Sequence, residues 1–213
     1  MNDDQLGGIA LIAGAVAGFV TMSLHPTGHD LTAPGQFAPA AFRNAAVHAL
    51  AIASLPVSFL GALALTRRLE SPARLATAAL VTYGFALAAV MSAAVVSGFV
   101  APRLVRGMID AAAPAREGWE TLLDYNYFLN QAFARVYVVA SFAAIFLWSL
   151  AIVRTRALPA GVGVYGLVMA PVAILAVVSG HVRLGVHGFG LIMLVQGLWL
   201  VAAGVRLLRF TAR

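Results

Sequence analysis

Val136–Val153 reads VYVVASFAAIFLWSLAIV. The stretch is free of charge and nearly long enough to cross a hydrocarbon layer, which takes about 20 apolar residues in a helix. It does not alternate polar with apolar residues, as a membrane barrel strand would. The uncharged Tyr125–Ala134 extends it backwards. Five similar runs surround it: Leu6–Leu24, then the stretches between Arg43 and Arg67, Arg74 and Arg103, Arg156 and Arg183, and Arg183 and Arg206. The pattern predicts an all-α polytopic bundle of six helices, one domain over residues 1–213.

Composition agrees. Apolar residues make up 62% and charged residues 10% of the 213, with mean hydropathy +0.91. A soluble domain has roughly 45–50% and 25%. Those figures exclude a disordered chain, a coiled coil and a nucleic-acid-binding domain. The pI near 10.8 points to no nucleic-acid partner, because no long basic run forms an electrostatic footprint. All 14 basic residues are Arg, which reads as coding bias. With no Cys, disulfides, thiolate metal sites and Fe–S clusters are excluded.

Six spans put both termini on one side. That side carries eight arginines against Asp3, Asp4 and Glu70, a net of +5, in short connectors and the tail. The other side carries Arg43, Arg103, Arg106, Arg116, Arg135 and Arg183 against five acids, a net of +1. Positive short loops face the cytoplasm, so both termini are expected there, in a bacterial inner membrane. The acidic Met1–Asp4 segment, with no small-x-small site after the first run, argues against a cleaved signal peptide. The long connectors, residues 25–40 and 102–124, lie on the opposite, periplasmic side. The second reads as a short helix, a break at Pro114 and a fourth helix starting near Ala115 and running unbroken to about Val153. Gly14 and Gly18 have small-xxx-small spacing, and Pro56 and Pro171 should kink their helices.

All five histidines, His25, His29, His48, His181 and His187, map to the periplasmic half. Random placement on either side would do so about one time in sixteen. An ionisable group in or near a span defaults to a functional hypothesis, and neutral imidazole is the commonest metal ligand. His48 is the most deeply placed. The expected metal set is His48, His181 and His187, with His25 as fourth member and His29 freer. Asn44, at i, i+4 from His48, is a candidate orienting partner. Asn126 and Asn130 should form a polar wall facing the bundle at the same depth. Gln196, half a turn out of phase with His187, is left outside the site. Arg43 and Arg183 could hold a carboxylate, phosphate or haem propionate. Asp30 is the one acid beside a histidine and the candidate general base.

From residue 145 onward the chain resembles a broad group of uncharacterised bacterial six-helix integral membrane proteins. The likeness rests on LAIVRTRALP at Leu150–Pro159, the glycines 161, 163 and 166, and GLWL at Gly197–Leu200. It implies a fold and an inner-membrane location, but no activity. Asn44 and His48 with His181 and His187 are also loosely similar to the zinc membrane hydrolases of the alkaline ceramidase type. Those have seven helices and a His-xxx-His pair, against six helices and a five-residue gap here.

No Walker A, HExxH, GxSxG or dinucleotide fingerprint occurs, and no acid lies mid-span. Three readings therefore stand. In the first, three histidines hold zinc or copper with one position open to water. The metal-bound water would then attack a lipid or other amphiphilic anionic substrate. In the second, a b-type cytochrome ligates one haem through His48 and His181 or His187. In the third, the histidines are interfacial and the protein is a non-catalytic membrane component in the lipid bilayer.

Overall fold

The computed structural model describes residues 1–33, 35–69 and 73–209. Glu70, Arg213 and the ring of His29 lie outside the described residues. The chain forms α1 (Asp3–Leu24), α2 (Gly28–Thr32), α3 (Phe37–Arg68), α4 (Ala73–Val95), a π-helical turn at Val96–Val100, α5 (Ala101–Asp110), α6 (Ala113–Thr155), α7 (Ala160–Val178) and α8 (Val186–Leu208). Among the described residues six helices are long and apolar enough to cross a membrane: α1, α3, the rod from α4 through α5, α6, α7 and α8. An even number of crossings returns the chain to the side on which it began.

The first helix starts as its sequence dictates. The Asn2 side chain accepts the Gln5 N–H at 2.8 Å and the Gln5 side chain accepts the Asn2 N–H at 3.2 Å, a reciprocal cap. In the bundle α1 packs between α8 and α3; α3 then meets α4, α4 meets α6, and α6 meets α7. The residues sort by size rather than polarity. Ala62, Ala76, Ala79, Ala86, Ala144, Ala151 and Ala203 face inward with Trp148 and Trp199, while Leu60, Phe85, Leu175 and Val178 face outward. Lipid tails are as apolar as leucine, so association relies on close packing of small residues. Gly8 and Gly204 show it: a methyl on Gly8 would lie 2.6 Å from the Gly204 carbonyl oxygen. The indoles stack with centroids 6.0 Å apart, and both find acceptors. Trp148 Nε1 donates to Thr66 Oγ1 at 3.0 Å and Trp199 Nε1 to the Val162 carbonyl at 3.1 Å.

Helix six begins at Ala113 and runs unbroken to Thr155, close to expectation. Its 43 residues span about 65 Å at 1.5 Å per residue, about twice the hydrocarbon thickness, so the helix is much longer than a crossing requires. Two details differ from the sequence reading. Helix α3 starts at Phe37, taking part of the expected loop 25–40, because Pro39 falls in the first turn where its missing N–H costs nothing. Pro56 and Pro171 lie inside α3 and α7. The other difference is the π turn at Val96–Val100, past which the third span continues to Asp110. Gly14 and Gly18 also serve different neighbours, Ser58 of α3 and Met193 of α8.

Candidate metal centre

The π turn and one proline create the polar need that organises the site. Ala101 N–H bonds to Val96 O, one residue further back than in an α-helix, and so turns away from Ser97 O. Pro102 has no N–H to offer Gly98 O in the α register. Both carbonyls face α3, where Asn44 Nδ2 donates to Ser97 O at 2.9 Å and to Gly98 O at 3.3 Å. An exposed carbonyl in a bilayer is costly, which accounts for a buried asparagine at this position.

Gly98 also makes room for His48. A Cβ on Gly98 would lie 2.4 Å from His48 Cβ and 2.6 Å from Cγ. The imidazole fills that slot, 6% exposed, with Nδ1 2.7 Å from Asn44 O one turn earlier on α3. His25 ends α1. It is extended, as suits a residue before proline, and its Nδ1 lies 2.7 Å from Pro26 O. The α1–α3 packing supplies the register. Position 7 faces 64, 11 faces 61 and 14 faces 58 through close small-residue approaches. The same antiparallel register continued outward sets 25 against 48.

The two Nε2 atoms lie 3.2 Å apart, with ring centroids at 4.8 Å and planes at 71°. A carbonyl oxygen only accepts, so each Nδ1 must carry the proton of its own hydrogen bond. Each Nε2 of a neutral ring is then a bare lone pair pointing at the other. A shared proton or a metal ion between them would resolve that contact. With Zn–N bonds of about 2.0–2.1 Å, tetrahedral ligand nitrogens stand about 3.3 Å apart. Burial lowers the pKa of His25, with the hydrogen bond to Pro26 O partly opposing it, so the neutral, metal-competent form is favoured. Opposed axial ligands of a haem must clear the thickness of a macrocycle, and this pair leaves no such gap.

The other sequence candidates fall elsewhere. His181 is exposed on the α7–α8 connector, where Ser179 Oγ meets its Nδ1 at 2.7 Å. His187 is exposed in the first turn of α8. Among the described residues no three His, Cys, Asp or Glu side chains converge as a metal group, so the expected trio of His48, His181 and His187 is not assembled. The connector is the reason: Gly180 at φ +79 ends α7 and Val182 N–H folds back to Ala176 O, leaving His181 beside its own helix end. Asp30 is engaged structurally. Its Oδ2 accepts Thr27 N–H at 2.7 Å, Thr27 Oγ1 at 3.1 Å and Arg43 Nη2 at 3.3 Å, which caps α2 and occupies Arg43. Arg183 is exposed. Asn126 is buried on α6, and Asn130 Nδ2 donates to Ala93 O at 3.0 Å, bracing α6 against α4 below the π turn.

Sequence reasoning missed Gly98 and Pro102; a glycine four residues before an in-span proline was the available signal. It also set Gln196 aside. Gln196 is 1% exposed, its Oε1 accepting from Tyr137 Oη at 2.9 Å and Ser141 Oγ at 3.3 Å. Comparison with known proteins finds no matching family model, no matching curated protein and no matching solved structure.

Proposed function

We propose that this integral membrane protein binds one zinc or copper ion between His25 and His48, near the periplasmic face of a bacterial inner membrane. The observation carrying this reading is the pair of facing Nε2 atoms at 3.2 Å, each with its Nδ1 held by a carbonyl. Asn44 is the positioning residue: its carbonyl orients His48 while its amide locks α3 to the π turn. The chain supplies two ligands, and the remaining positions are open to water or to an anionic headgroup or small molecule. Hydrolysis is not part of this reading, because Asp30 is committed to Thr27 and Arg43. A second reading, a proton shared by the two imidazoles, is favoured by the lack of a third converging ligand among the described residues.

Titration of the purified chain with Zn²⁺ or Cu²⁺ separates the two. One tight ion per chain is expected, reduced to background in His25→Gln and in His48→Gln and retained in His181→Gln, His187→Gln, Asn126→Ala and Arg183→Ala. Loss in the last group instead would relocate the site. No tight ion in the wild type would leave the shared proton. Occupancy should fall as pH drops below about 6.5. Protons compete for the ring nitrogens, and folding around a neutral His25 is favoured only above the unfolded-state value.

Sidedness rests on the arginine asymmetry of the connectors. A reporter active only in the periplasm should be active when fused within residues 111–114 and silent when fused after residue 213. The opposite pattern would place the pair on the cytoplasmic face.

A further inference from the structure

One helical turn inward of the histidine pair lies a cavity of about 70 Å³ between α1, α3, α4, α6 and α8. Thr21, four residues before His25, and Ala51, three after His48, form its outer end; that separation is about 5 Å along either helix. Its walls carry more hydrogen-bonding capacity than a lipid-embedded void should. Tyr137 Oη donates to Gln196 Oε1, Ser54 Oγ to Ala51 O and Ser58 Oγ to Ser54 O. Each hydroxyl hydrogen is thereby used, and each oxygen keeps accepting lone pairs. Among the described residues Gln196 Nε2 has no hydrogen-bond partner, although the residue is 1% exposed and lines the cavity. Exchanging the amide's nitrogen and oxygen leaves the other polar atom bare in the same place.

We propose that this cavity holds a cluster of ordered waters, anchored on the free amide group of Gln196 and reaching to within a turn of His25 and His48. A water takes about 30 Å³ at liquid density and, when buried, needs two to four polar partners, so 70 Å³ admits about two. The amide donates to the cluster and the hydroxyl oxygens accept from it, so the waters have partners of both kinds. Empty cavities of this size are apolar throughout, which this one is not. The cluster hydrates the middle of the bundle about one helical turn inward of the histidine pair. The inference stands on the cavity and Gln196, whichever cation the pair holds.

X-ray hydroxyl-radical footprinting of the full chain in lipid nanodiscs tests it, because radicals born from bound water oxidise the side chains beside it. Met193, whose sulfur lies 3.3 Å from Tyr137 Oη, and Tyr137 should be oxidised on the order of tenfold faster than Met91, which is 44% exposed to lipid. Gln196→Leu removes the anchor while leaving Tyr137 the Met193 sulfur as acceptor, and should bring Met193 down to the Met91 rate. Gly197→Ala narrows the cavity without a clash, since its Cβ would meet only Ala15 Cβ at 4.0 Å. It should lower Met193 oxidation even if Gln196→Leu folds poorly. Met193 and Tyr137 reacting no faster than Met91 means a dry cavity and overturns the proposal. Fast oxidation unchanged in both variants overturns it as well, because the radicals then come from outside the cavity.

Discussion

Gly98→Ala is expected to destabilise the protein by about 1–3 kcal/mol and to abolish ion binding at His25 and His48. The added methyl would sit 2.4 Å from His48 Cβ and 2.6 Å from Cγ. These atoms lie at the root of the ring, not at the end of a flexible chain, so α3 must move away from the π turn or His48 must rotate out of its slot. Either movement breaks the Nε2–Nε2 juxtaposition. Gly84→Ala is the control: on the same helical rod, its Cβ would meet only Phe59 Cε2 at 3.8 Å. There alanine should be neutral or favourable, by roughly its helix-propensity advantage. Thermal unfolding in detergent and metal stoichiometry read the two together. If Gly98→Ala matches Gly84→Ala in both, the slot does not constrain His48.

Asn44→Leu should cost about 2–6 kcal/mol, because it removes the Asn44 donor from both Ser97 O and Gly98 O in an apolar setting at about 1–3 kcal/mol per lost partner. The cost traces to the π turn and to Pro102, so it should be conditional. Pro102→Ala restores an N–H at the position from which Gly98 O would accept in an α-helix. Asn44→Leu should therefore be milder in the Pro102→Ala background than alone, a coupling that a double-mutant cycle measures directly. Strict additivity would falsify the view that Asn44 answers the carbonyls freed by the π turn. Asn44→Asp sharpens the test. Its ionised carboxylate cannot donate to either carbonyl, so it should be worse than leucine at neutral pH and recover partly in acid.

The membrane fold was legible because its cause is composition at close range. Runs such as Val136–Val153 must form helices wherever they sit in a bilayer, since their own backbone is the sole source of hydrogen-bond partners. The breaks fall at residues whose local chemistry ends helices, among them Pro26, Pro114 and Pro159. His48 was legible for a related reason: a deep imidazole needs a partner, and one is present. Asn44 was legible through its i, i+4 spacing, although its main-chain partners on another helix were not.

The partner of His48 was beyond such reasoning. His25, His181 and His187 are equivalent by position along the chain, each at the end of a span on the same side. The choice of His25 follows from the α1–α3 register, fixed by Gly7 on Ala64, Gly61 on Leu11 and Gly14 on Ser58. His181 is excluded by the fold-back after Gly180. Gln196 was discarded on helical phase relative to His187, yet it faces a cavity lined by five helices. Hydrophobicity and backbone satisfaction act within one segment, so the number and extent of the spans can be read from the chain alone. Which polar groups meet depends on how surfaces of small residues mesh between segments. That contact is set by steric fit to a fraction of an ångström, and it leaves no periodic trace in the order of residues.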